Sequence, residues 1–136
     1  MKKYYFAAPV FSAIALALEL LPNGILMLFA NPEGPHHKTY CSYFDLLPFG
    51  YANFAPLLTA VCTCIALIFA VICIIKPKRK LLLTFSIFSC LAFVLSMFIT
   101  LSFYSATVIN PLVSAALLIS SIISILLFKK SDGGKL

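Results

Sequence analysis

The sequence predicts an all-α membrane protein, a four-transmembrane-helix bundle with a small extracellular loop or β-hairpin cap. Three observations lead there. Of 136 residues, 62% are hydrophobic and only 10% charged, and the mean hydropathy is +1.08. A soluble domain is nearer half apolar and one quarter charged, and a chain this short cannot bury so much apolar surface in its own core. The apolar residues fall into four runs of membrane-spanning length, and the positive charge gathers at the ends of those runs. Lipid is therefore the expected solvent. That excludes a soluble enzyme, a disordered tail, a disulfide-framework toxin and an ordinary nucleic-acid binder.

One membrane domain, residues 1–130, is expected to carry spans at about 4–22, 54–75, 81–104 and 111–128, with an outer loop at 23–53. Residues 131–136 read as a mobile cytoplasmic tail. A hydrocarbon core of about 30 Å takes about 20 helical residues, with roughly 17–25 tolerated, and each run qualifies.

The first run admits two questions. Lys2 and Lys3, the apolar stretch 4–14 and Ala15-Leu16-Ala17 resemble a secretory leader with its cleavage site. The apolar run continues past that point, which suits an uncleaved anchor better. Its end is the second question. One helix reaching Ala30 would be about 40 Å long and would contain Pro22-Asn23-Gly24, a turn signal. Ending it near Leu21 leaves a span of just sufficient length. Residues 25–30 then read as a strand, 31–35 as a turn and 38–44 as a returning strand. Thr39, Cys41 and Tyr43 alternate there against Tyr40, Ser42 and Phe44. The turn signal favours this hairpin over the long helix.

Later punctuation is simpler. Pro77 lies in a short turn that makes spans two and three an antiparallel helical hairpin. Pro111 opens the fourth span, where its missing N–H costs nothing. Small residues recur every four positions: Ala13 and Ala17; Cys62, Ala66 and Ala70; Ala92, Ser96 and Thr100; Ala116, Ser120 and Ser124. Such rows let helices approach closely, and their hydroxyls can bond across the contact. A conduit lined by Ser96, Thr100, Ser120 and Ser124 is the alternative. Mid-span hydroxyls more often pack or bond their own backbone, so a bundle is favoured over a pore.

The net charge of +6 is an orientation signal. Nine of the ten basic residues lie in three clusters: Lys2 and Lys3; Lys76, Lys78, Arg79 and Lys80; and Lys129, Lys130 and Lys135. The positive-inside rule makes both termini and the 76–80 turn cytoplasmic, leaving only Lys38 in the outer loops. No basic stripe is interleaved with aromatics, so no nucleic-acid partner is expected. The expected partners are the lipid bilayer and a membrane-protein partner or second copy of the chain.

Glu19 is the only acidic residue within a span, and an ionisable intramembrane group is a functional candidate by default. Near the headgroups it would hydrogen-bond the cap or Asn23. Deeper, it becomes a candidate proton or cation site. The outer loop holds Glu33, His36, His37, Cys41 and Asp45, legitimate metal-ligand types in a spacing that matches no established site. No metal or other cofactor is therefore expected. Cys41 is the only outer cysteine; Cys62 and Cys64 form Cys-x-Cys in a helix, and Cys73 and Cys90 stand alone. Buried cysteines commonly act as small hydrophobes. There is no Gly-rich phosphate loop, His-Glu-x-x-His or nucleophile elbow, and a non-enzyme is expected. Tyr40, Tyr43, Phe44, Asp45, Phe49 and Tyr51 form a candidate outer contact surface, because aromatics suit both the headgroup zone and partners.

Ser42-Tyr43-Phe44-Asp45-Leu46-Leu47-Pro48-Phe49-Gly50-Tyr51-Ala52-Asn53-Phe54, with Glu19-Leu20-Leu21-Pro22-Asn23-Gly24, resembles stretches of small four-span bacterial membrane proteins of no known activity. The resemblance implies a bacterial cytoplasmic membrane and brings no site. Small multidrug exporters are similarly short and depend on a first-span Glu, a role Glu19 would take. Here the outer loop is longer, Trp is absent and the surrounding residues differ. Claudin-like proteins share the long first outer loop, but their Trp and paired Cys signature is missing. The expected function is a non-enzymatic accessory, structural or interaction component of the membrane. The alternative is a small proton-coupled transporter using Glu19, alone or as an oligomer.

Overall fold

The computed structural model describes residues 2–29, 34–35, 37–45, 54–101 and 107–133. Its elements are α1 (Lys2–Glu19), β1 (Ile25–Phe29), β2 (His37–Cys41), α2 (Ala55–Ile75), α3 (Arg79–Leu101) and α4 (Ile109–Gly133). Ala55–Ile75, Arg79–Leu101 and Ile109–Ser131 are long and apolar enough to cross a membrane, while the apolar part of α1, Tyr4–Glu19, is shorter. The expectation of four full-length spans is thus met by three helices.

Local chemistry bounds the apolar part of α1 at both ends. Lys2 and Lys3 occupy its first turn. At the other end Leu20 N–H still donates to Leu16 O (3.1 Å), but Leu21 N–H tightens onto Leu18 O (3.2 Å). Pro22 offers no donor and disfavours a helical Leu21. Gly24 N–H then closes a turn on Leu21 O at 3.2 Å. The long helix to Ala30 does not form, and the chain enters β1 instead. Pro9, inside α1, was not foreseen; it removes the donor that would reach Tyr5 O.

The remaining helices follow their punctuation. Pro56 sits in the first turn of α2, where a missing N–H is harmless. Lys76, forced from the helical region by Pro77, has φ −134° and ψ 87° and ends α2. Lys78 O accepts from Leu82 N–H (3.1 Å), which starts α3 after a three-residue turn. α4 begins at Ile109, two residues before Pro111, and runs through Ser131, Asp132 and Gly133. Those three residues, expected in a mobile tail, extend the helix; residues 134–136 lie outside the described set.

Each helix packs on two others, α1 against α2 and α4, and α3 against α2 and α4. The four therefore form a ring in sequence order. The hairpin pairs antiparallel, with Ile25 opposite Cys41, Leu26 opposite Tyr40 and Met27 opposite Thr39. Ile25 and Met27 are buried with Ala15, Ile99 and Val113, whereas Tyr40 is exposed. The sheet therefore caps one end of the ring with its odd-numbered face. The alternation read between Lys38 and Phe44 has this cause.

The burial pattern is inverted relative to a soluble bundle. Ala60, Ala66, Ala92, Ser89, Ser96, Ser120 and Thr63 are inside, whereas Ile68, Val94, Phe98, Ile122 and Leu126 are exposed. In a bilayer, small residues let backbones approach where no hydrophobic drive acts between helices, and large exposed apolar groups suit a lipid-facing surface. Two apolar clusters form the interior. One holds Ile25, Met27, Tyr43, Ala60 and Ile99; the other holds Ala70, Leu82, Phe85 and Leu127. Between them lies a hydroxyl layer in which Ser120 meets Ser12 (2.9 Å) and Ser89 (3.3 Å), joining α4 to α1 and α3.

Three of the small-residue rows face inward as expected. The α1 row does not: Ala13 and Ala17 are exposed, and the buried line is Ala8, Ser12, Ala15 and Glu19. Spacings of four, three and four follow the 3.6-residue turn better than a strict repeat of four. The conduit reading is not favoured by the hydroxyl contacts. Ser96 and Thr100 bond Ser114 at 2.7 and 2.8 Å, Ser120 bonds Ser12, and Ser124 donates to Ser121 O.

Candidate functional site: the buried Glu19 junction beneath the cap

Glu19 is the last residue of α1, and it is buried. The break at Pro22 sends the chain out to the hairpin and back over it, so that Tyr43 N–H donates to Glu19 O at 3.1 Å. Its side chain turns toward α2, where Thr63 Oγ1 donates to Oε1 at 2.8 Å. The same hydroxyl lies 2.9 Å from Thr59 O. A hydroxyl has one proton, so these two acceptors share it. Oε2 is buried and has no hydrogen-bond partner among the described residues.

Tyr43 roofs this junction. Its ring is fully buried, and Gly24 makes room for it: a Cβ at Gly24 would lie 3.1 Å from Cδ2 and 3.3 Å from Cε2. Its hydroxyl donates to Asn110 Oδ1 at 3.1 Å. Thr107 Oγ1 sits 3.2 Å from the same oxygen and 2.7 Å from Gly24 O. The first turn of α4 is thereby tied to the end of the α1 turn. Burial first, and the nearby Glu19 charge second, push the Tyr43 phenol above its usual range, against a smaller lowering by Ser96. Tyr43 is a neutral donor at physiological pH.

The expected outer contact surface divides. Tyr40 is exposed, and Phe44 is half-buried against the cluster that contains Tyr43. Tyr43 itself faces the interior, because residues 39, 41 and 43 continue the inward alternation of β2. Asp45 is exposed and accepts from Ser42 N–H at 2.6 Å, closing its own turn. Phe49 and Tyr51 lie outside the described residues. Beside Tyr40, the outer side holds a groove of about 470 Å³ lined by Asn23, Leu26, Tyr40, Thr107, Val108 and Ile109.

Among the topology-setting residues, Lys76, Lys78, Arg79 and Lys80 are exposed at one end of the ring, with Lys129 and Lys130. Lys2 and Lys3 begin α1 at that same end, since α1 and α4 run antiparallel. Arg79 lies over the Phe128 ring at 5.7 Å, tying the start of α3 to the end of α4. Of the loop residues weighed as metal ligands, Cys41 is half-buried and Asp45 exposed; Glu33 and His36 lie outside the described residues. No group of three or more His, Cys, Asp or Glu gathers among the described residues. Burial and the Asp45 charge push the Cys41 thiol up. Cys62 is buried and Cys64 half-buried, and all five cysteines are free.

Sequence reasoning singled out Glu19 but not its partners. Thr63 lay one residue from the small row of α2, and Asn110 one residue before Pro111. No spacing rule linked either to Glu19 or Tyr43. Comparison of the chain with protein-family models, curated proteins and solved structures finds no match to any of the three.

Proposed function

We propose that the chain is a non-enzymatic multi-pass protein of a bacterial cytoplasmic membrane, an accessory or structural component that presents its cap to a membrane partner. In this reading α1 is a short fourth span, both termini and the 76–80 turn are cytoplasmic, and the hairpin is outside. The three basic groups at one end of the ring support that orientation through the positive-inside rule. α1 supplies about 27 Å of helix, close to the hydrocarbon thickness, and short spans are accommodated by local thinning.

One observation carries the reading: an exposed groove beside Tyr40, on a cap that is pinned from below. Tyr40 is 58% and Val108 82% exposed beside buried Ile25, Met27 and Tyr43. Interfaces are enriched in such aromatics, and a pre-ordered surface loses less entropy on binding. The occupant in this reading is a membrane protein or a second copy of the chain. A photocrosslinking residue at position 40, followed by mild-detergent purification and mass spectrometry, tests it. A stoichiometric protein adduct supports the proposal; lipid adducts alone, on an otherwise solitary chain, contradict it.

A second reading, a proton-coupled transporter using Glu19, draws on the Oε2 atom. A buried carboxylate oxygen with no hydrogen-bond partner among the described residues suits a group that binds a proton or cation in turn. Proteoliposomes with wild-type or Glu19→Gln protein would be compared for proton-gradient-driven cation efflux. Measurable wild-type transport that Glu19→Gln leaves unchanged removes this reading.

A further inference from the structure

We propose that the inner ends of α1 and α4 form a binding site for one anionic phospholipid. A groove of about 320 Å³ opens there, lined by Tyr4, Leu126, Leu127, Lys129 and Lys130. Its chemistry is graded along the helix axis. Leu126 is exposed and Leu127 buried, giving an apolar floor that continues into the lipid-facing side of α4. Tyr4, 54% exposed on α1, stands across from it with an apolar ring and a hydroxyl. Lys129 and Lys130, both exposed, close the end. From Leu126 to Lys130 the helix rises about 6 Å, a step suited to an acyl chain beginning on the leucines and a phosphodiester reaching the ammonium groups.

Charge complementarity decides the occupant. Lys2 and Lys3 are the first residues of α1, which begins at this end. Asp132 is the acidic residue of this part of the sequence, so the local balance stays positive. Basic pockets between helices at the cytoplasmic face are suited to acidic lipid headgroups. A soluble phosphate would use the lysines alone and gain nothing from the leucine floor or the Tyr4 ring. The 76–80 turn carries as much charge, with Lys76, Lys78, Arg79 and Lys80 all exposed. None of these four lines the groove at Tyr4 and Leu126, so the turn provides an internal control.

The test uses the full chain in nanodiscs of phosphatidylglycerol and phosphatidylcholine with identical acyl chains, released into native mass spectrometry. We expect one retained phosphatidylglycerol per chain, at about thirtyfold preference given two lysines near the surface. Lys129→Gln with Lys130→Gln should abolish the preference, and Lys76→Gln with Lys78→Gln and Lys80→Gln should leave it. Deacylated glycerophosphoglycerol should not compete. Equal retention of both lipids, a preference that follows the 76–80 turn, or full competition by the deacylated headgroup would each overturn the proposal. If the double variant fails to fold, the wild type decides: high salt must reduce the preference, and an unchanged preference counts against the site.

Discussion

The hydroxyl of Tyr43 donates to Asn110 Oδ1 at 3.1 Å, tying the turn after β2 to the first turn of α4. Tyr43→Phe keeps the buried ring and removes that bond together with the hydroxyl's interaction with Ser96. Asn110 retains Thr107 as a neighbour at 3.2 Å, so the loss should be modest, about 1 kcal/mol. Unfolding by graded sodium dodecyl sulfate in mixed micelles reads it. Tyr43→Ala should cost more, about 3–5 kcal/mol, because it empties a fully buried aromatic position.

Thr63 is the only hydrogen-bond donor to the Glu19 carboxylate among the described residues. Thr63→Val is nearly isosteric and leaves both oxygens buried without that donor, a loss of about 1–3 kcal/mol. Thr63→Ser keeps the hydroxyl and should be near neutral. Combining Thr63→Val with Glu19→Leu should recover most of the loss, since removing both partners of a buried polar pair is far less costly than removing one. The same unfolding titration, run as a cycle, checks the coupling.

The Ser12–Ser120–Ser89 layer gives a third expectation. Ser120→Ala should cost about 0.6 kcal/mol, the scale of interhelical hydrogen bonds in membranes. Ser120→Leu should cost about 1–3 kcal/mol or more, because it forces extra methylenes between α1, α3 and α4. A leucine that is tolerated better than alanine would mean that close approach is not what holds these helices together.

Cys41 gives a dependence on pH. Burial, then the Asp45 charge, raise its thiol above the ordinary value. The thiolate is the reactive form, so maleimide labelling at neutral pH should be slower than for a free cysteine and rise steadily into the alkaline range. Asp45→Asn removes the charge while keeping an acceptor for Ser42 N–H. It should lower the thiol's midpoint and speed labelling near pH 8. Slower labelling of that variant would contradict the assigned cause.

Much of the helical framework is legible in the sequence because its signals are local. Pro22-Asn23-Gly24 stops α1, Pro77 turns α2 into α3, and long uncharged runs become the three apolar helices. The hairpin was legible from the same turn signal and from alternation around Tyr40. Long-range pairings were not. Thr63 lies 44 residues from Glu19, and Asn110 lies 67 from Tyr43, so only the packed ring brings them together. The α1 face was misread because Ala13 and Ala17 look as small as Ala8, Ser12 and Ala15. Residue size alone does not choose a face when the whole helix is apolar.

The central claim, that α1 crosses the bilayer beside three longer spans with the cap outside, is open to one direct measurement. Single cysteines are placed in an otherwise cysteine-free chain, either Cys41 retained or Lys3→Cys introduced, in intact cells treated with a membrane-impermeant maleimide. If α1 spans, Cys41 is labelled from outside, whereas position 3 is labelled only after the membrane is opened. If position 3 is labelled from outside together with Cys41, the chain has three spans, and the account of α1, of the cytoplasmic amino terminus and of the charge-set topology is contradicted.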